Sequence, residues 1–118
     1  MLGVDRIRTE YYTVAMSKEL KSLINEYKET DHMLSIFDDR KLILYLVNLA
    51  LDEDLGLYTA DVNTERVKDI KLKKTRKIAK HFESINEKYK EYGISISSRQ
   101  YFHRLLMNFL QVKLMANN

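Results

Sequence analysis

A mostly helical chain carrying a short β ribbon is what this sequence predicts, and three observations predict it. Two short stretches alternate apolar and polar residues at the period of a strand. In one, Tyr12, Val14 and Met16 lie opposite Tyr11, Thr13 and Ala15; in the other, Ile70 and Leu72 alternate with Asp69, Lys71 and Lys73. Each stretch runs at once into a hydroxyl residue, Ser17 or Thr75, placed to cap a helix. With no proline and three glycines in 118 residues, little interrupts the helices that follow.

In chain order, a polar lead-in with Arg6 and Arg8 precedes a strand over Tyr11–Met16. Ser17 caps a helix that runs to about Glu29 and buries Leu20, Ile24 and Tyr27. Thr30–Phe37 is a junction. The next helix starts at Asp38 or Asp39, with Leu42, Tyr45, Leu46 and Leu49 as its principal stripe and Ile43, Val47 and Ala50 widening it. Residues 52–67 form a linker, punctuated by Gly56, whose Leu55, Leu57 and Val62 dock on the helices as it passes. The stretch Val67–Phe82, in which a lysine-bearing strand becomes an amphipathic helix with Ile78, Phe82 and Ile85, is the device around which the rest is read. Gly93 breaks that helix, and a last helix with a broad apolar surface covers Tyr101–Met115.

The order strand, capped helix, turn, helix therefore occurs twice, over 11–51 and 68–114. An offset of 58 places Val14 on Leu72, Ser17 on Thr75, Leu20 on Ile78, Ile24 on Phe82 and Tyr27 on Ile85. For the second helix of each unit the offset is 60, placing Leu42 on Phe102, Tyr45 on Leu105, Leu46 on Leu106 and Leu49 on Phe109. The change of offset falls at the junction, where insertion costs least. One such unit cannot satisfy its strand edges or bury its apolar faces. Two in one chain can, with the strands pairing antiparallel over interlocked helices as a single compact domain.

Charge is divided unequally between the halves. Residues 1–59 carry seven Lys and Arg against eleven Asp and Glu, and residues 60–118 carry thirteen against six. A basic second half suits a polyanion, although solvated lysines on helices give the same count. No cysteine is present and no apolar run reaches membrane-spanning length, so a cytoplasmic protein without membrane contact is expected.

This arrangement resembles the ribbon-helix-helix DNA-binding proteins, the class of the phage Arc and methionine repressors, in a tandem form with both halves of the usual dimer fused. The resemblance implies a pseudo-dimer within one chain whose ribbon enters the major groove of double-stranded DNA. Carried over by position, the base-reading residues are Tyr11, Thr13 and Ala15 with Asp69, Lys71 and Lys73. Phosphate falls to Ser97, Ser98 and Arg99 at the start of the last helix, and to Lys74, whose stem covers the core edge. The matching site at Asp38–Arg40 carries two carboxylates, so the second half is expected to grip harder. Gly93 matches the glycine usual before the second helix, whereas the first unit has only TDHMLSIF there.

Other chemistry finds little support. His32, His81 and His103 lack ligand spacing, and the latter two sit beside core positions at helix margins; no metal or cofactor is expected. No glycine-rich phosphate loop or nucleophile elbow marks an enzyme, and no Asn-Gly or Asp-Gly turn supports the wing of a winged helix. Glu83, Glu87 and Glu91, interleaved with lysines, read as a solvated face. The expected function is transcriptional repression, in a viral or plasmid setting. The alternatives are a partition or relaxosome accessory protein and a protein-interaction module, antitoxin-like or a helical subunit. Phe109, Val112 and Met115 offer the last helix as a contact between copies.

Overall fold

Four helices begin at a side chain that takes up a free amide of the first turn. Ser17 Oγ accepts from the Leu20 amide at 3.1 Å, Asp38 Oδ1 from Lys41 at 2.9 Å, Thr75 Oγ1 from Ile78 at 3.3 Å and Ser97 Oγ from Gln100 at 3.3 Å. These caps set the phase of everything downstream. The computed structural model describes residues 10–116, so the lead-in arginines Arg6 and Arg8 lie outside it. Its elements are β1 (Tyr11–Met16), α1 (Lys18–Lys28), a 3₁₀ turn (His32–Ile36), α2 (Asp39–Glu53), β2 (Lys68–Lys73), α3 (Arg76–Lys90) and α4 (Ser98–Ala116).

β1 and β2 pair antiparallel as a two-stranded sheet, in a register that sets Tyr11 opposite Lys73, Thr13 opposite Lys71 and Ala15 opposite Asp69. The inner face follows from the alternation: Tyr12, Val14 and Leu72 are buried, and Met16 and Ile70 are half-buried. The Lys74 amide donates to Glu10 O at 2.9 Å and prolongs the ladder by one bond.

The centre of the structure is α4 rather than the strand-to-helix stretch at Val67–Phe82. This helix packs on β1, α1 and α2 and buries Tyr101, Phe102, His103, Leu105, Leu106, Met107, Phe109 and Leu110, apolar nearly all round as a central helix must be. Phe109 is therefore core, at 1% exposure, and is not available to a second copy. Two other expectations change with it. His103 is fully buried instead of marginal, because α4 has packed elements on several sides. On α2, Leu42 and Leu46 are buried as expected and Ile43, Val47 and Ala50 equally so, whereas Tyr45 is exposed and Leu49 half-buried, since the helix faces β2 and α4 together.

The two junctions solve one problem differently. Gly93 takes φ +76° and donates to Lys90 O at 2.9 Å, which turns α3 within a few residues. The first unit has no glycine there. It spends a 3₁₀ turn instead, capped by Asp31 Oδ1 on the Met33 amide at 3.0 Å and anchored by buried Leu34.

Candidate nucleic-acid interface

The outer face of the ribbon holds the six side chains assigned to base reading, and the structure treats them unequally. Tyr11, Asp69, Lys71 and Lys73 are exposed and Thr13 is partly so. Two cations approach the Tyr11 ring: Lys71 Nζ stands 5.5 Å and the Arg40 guanidinium 5.8 Å from its centroid. Arg40 belongs to the first turn of α2, so that helix start contributes a cation to the ribbon face despite Asp38 and Asp39. Asp38 spends its carboxylate on the cap.

Ala15 departs from its expected role. Its exposure is 0%, because a methyl group is too short to emerge beside its longer cross-strand partner Asp69 and the arginine bound there. That arginine is Arg99. Its Nε donates to Asp69 Oδ1 at 2.7 Å, Nη2 to Thr64 O at 2.7 Å and Nη1 to Thr64 Oγ1 at 3.5 Å. Gln100 also donates to Thr64 Oγ1, which is buried. A guanidinium so occupied is a structural tie before it is a phosphate clamp. Ser97 is exposed with its hydroxyl on the Gln100 amide, and Ser98 is partly exposed. Lys74 is divided as well: its Nζ lies 4.6 Å from the Tyr12 ring centroid and 3.5 Å from Glu10 Oε2.

Sequence reasoning missed the strap. From Leu55 to Thr64 the linker runs along α4, held mostly by its own carbonyls rather than by docked leucines. Asn108 donates to Leu55 O at 2.7 Å, and Arg104 donates to Tyr58 O at 2.8 Å and Ala60 O at 2.9 Å. Leu55 and Leu57 stay exposed, and Val62 is half-buried. The four-residue spacing of Gln100, Arg104 and Asn108 on one helix face was the available signal.

One histidine sits just behind the ribbon, and a second lies against Tyr101 of α4. His103 Nδ1 is 2.8 Å from Ala15 O, and a carbonyl only accepts, so Nδ1 carries the proton. Nε2 then faces the Ser17 hydroxyl at 3.5 Å as acceptor. Burial, foremost, lowers the His103 pKa, as it does that of His81. His81 Nε2 meets Tyr101 Oη at 2.7 Å, and burial pushes the Tyr101 phenol up to about 12, so the phenol keeps its proton and donates. Among the described residues no cluster of three or more His, Asp or Glu side chains is arranged to hold a metal ion, and no helix is long and apolar enough to cross a membrane.

The chain is thus defined by its own geometry: no protein family, curated protein or solved structure matches it.

Proposed function

We propose that this protein binds double-stranded DNA by laying the outer face of its ribbon into the major groove, and that it acts as a transcriptional repressor by occluding a promoter. The observation that carries this reading is the open face itself. Among the described residues α4 packs on β1 and α2 on β2, and on the outer face Tyr11, Lys71 and Lys73 are exposed and Thr13 partly so, as groups that can address base edges. A two-stranded ribbon fits the width of the major groove, and lysine donates to guanine O6 and N7. The tandem ribbon-helix-helix reading is supported by the register. Thr13 faces Lys71, its counterpart under the offset of 58, which is the pairing that a two-fold relation between the units requires.

Titration of labelled duplex, selected from a random pool and then scrambled, tests the reading at two salt concentrations. Lys71→Ala and Lys73→Ala are expected to lose about 1–3 kcal/mol of discrimination at one position of the selected site. Affinity for every duplex should fall as salt rises. Failure to select any duplex, with unchanged affinity in both variants, rejects the proposal in favour of an interaction module. Val112 and Met115, exposed at 40% and 73% on the last turns of α4, favour an additional contact between copies, which sedimentation across a concentration series measures.

A further inference from the structure

We infer that the duplex element this chain selects lacks two-fold symmetry, because only one half of the ribbon is equipped to read bases; the inference rests on the DNA-binding reading above. Around the central Thr13–Lys71 pair, Tyr11–Lys73 lies on one side and Ala15–Asp69 on the other. A ribbon of two identical strands shows the same groups at both ends and matches an inverted repeat. Here the ends are chemically opposite.

At the Tyr11–Lys73 end both side chains are exposed, and the cations of Lys71 and Arg40 lie within 6 Å of the Tyr11 ring centroid, at 5.5 and 5.8 Å. Ammonium and guanidinium groups only donate, and guanine offers two acceptors, O6 and N7, in the major groove. At the other end Ala15 has no exposed surface. Asp69, the other outward group there, is held by Arg99 at 2.7 Å, and Arg99 is itself fixed to Thr64. Asp69 is exposed, but a carboxylate only accepts, and the oxygen that Arg99 holds must give up that bond before it can accept from a base edge. The Arg99–Asp69 pair also neutralises a carboxylate that would otherwise repel phosphate. This half supports the duplex without interrogating it. The element read is thus a guanine-bearing half facing Tyr11 and Lys73, with no inverted copy across the axis.

Selection by the full chain from duplexes with a randomised core, followed by binding to the winner and to its two symmetrised versions, tests this. The half whose preference relaxes in Lys73→Ala identifies the side facing that lysine. Duplicating this half as an inverted repeat should leave affinity close to that of the winner. Duplicating the other half in its place should weaken binding about tenfold or more. An enriched inverted repeat whose axis falls inside the footprint of one chain overturns the inference, as does equal relaxation of both halves by Lys73→Ala, while either result leaves the DNA reading standing. Enrichment of no duplex at all rejects both.

Discussion

Beneath the end of the ribbon where Tyr12 pairs with Leu72, four rings meet: Tyr12, Phe82, Tyr101 and Phe102, with centroids 5.2–5.8 Å apart. Beneath the end where Val14 pairs with Ile70, the residues aligned with Phe82 and Phe102 are Ile24 and Leu42. Rings fill the first space. The aliphatic side chains leave the second as an open recess of about 600 Å³, lined by Met16, Ile24, Leu42, Ile43 and Ile70, with charged groups including Lys21 and Asp39 around it. The two ends of one ribbon can thus share a backbone pairing while their support differs, since pairing depends on main-chain bonds and packing on side-chain volume.

Core truncation should separate the two ends most strongly. Phe102→Ala removes a fully buried ring at the centre of the cluster and is expected to cost about 3–5 kcal/mol in chemical denaturation, with Phe82→Ala close behind. Ile24→Val, beside the recess, should cost only about 0.5–1.5 kcal/mol. Equal losses at the two ends would remove the contrast between a filled and an open side.

The caps provide a second, smaller test. Ser17 is buried and its hydroxyl serves both the Leu20 amide and His103, whereas the half-buried Thr75 serves only Ile78 among the described residues. Ser17→Ala should cost about 2 kcal/mol and Thr75→Ala about 1 kcal/mol.

Acidification should act through the buried histidines. His103 has its pKa lowered in the fold, chiefly by burial, so the unfolded chain binds a proton near the ordinary value of about 6.5 while the folded chain does not. Stability is then complete above that value and declines as pH falls below it toward the folded pKa. Arg104 and Arg99 add to the lowering, while the bond to the Ala15 carbonyl and the charge of Glu19 oppose it. Thermal melts of His103→Gln across this range should slope less than those of the unaltered protein, and His81→Gln gives the comparison for a histidine that is only half-buried. The smallest effect is expected for Asp69→Ala. This side chain keeps 39% of its surface, so losing its ion pair with Arg99 should cost below about 1 kcal/mol of stability.

Much of this fold was legible because it is written in periodicity. The strands, the capping residues Ser17, Asp38 and Thr75, and the buried stripe Leu20, Ile24, Ile78, Phe82 all follow from spacing and local hydrogen bonding. The antiparallel pairing of Tyr11–Met16 with Lys68–Lys73 followed from the need to satisfy strand edges. What spacing cannot carry is contact between distant segments through groups that every residue owns. The strap over α4 is fastened by the carbonyls of Leu55, Tyr58, Ala60 and Thr64, which leave no compositional trace. The same blindness affected the ribbon face. Parity placed Ala15 and Asp69 outward, but only the folded chain brings Arg99 across to occupy one beside the buried other.

Pairing β1 with β2 inside one polypeptide also changes the law of mass action that governs the ribbon. A ribbon made from two chains comes apart on dilution, since its strands must find each other at a rate set by concentration. Here the partner strand is supplied by the same molecule, and closing the intervening loop carries an entropic cost that grows only with the logarithm of its length. Below the concentration at which a contact between copies through α4 dissociates, the melting temperature should therefore stay constant on further dilution, where that of a two-chain ribbon keeps falling. A single molecule, alone in its volume, still presents a finished ribbon.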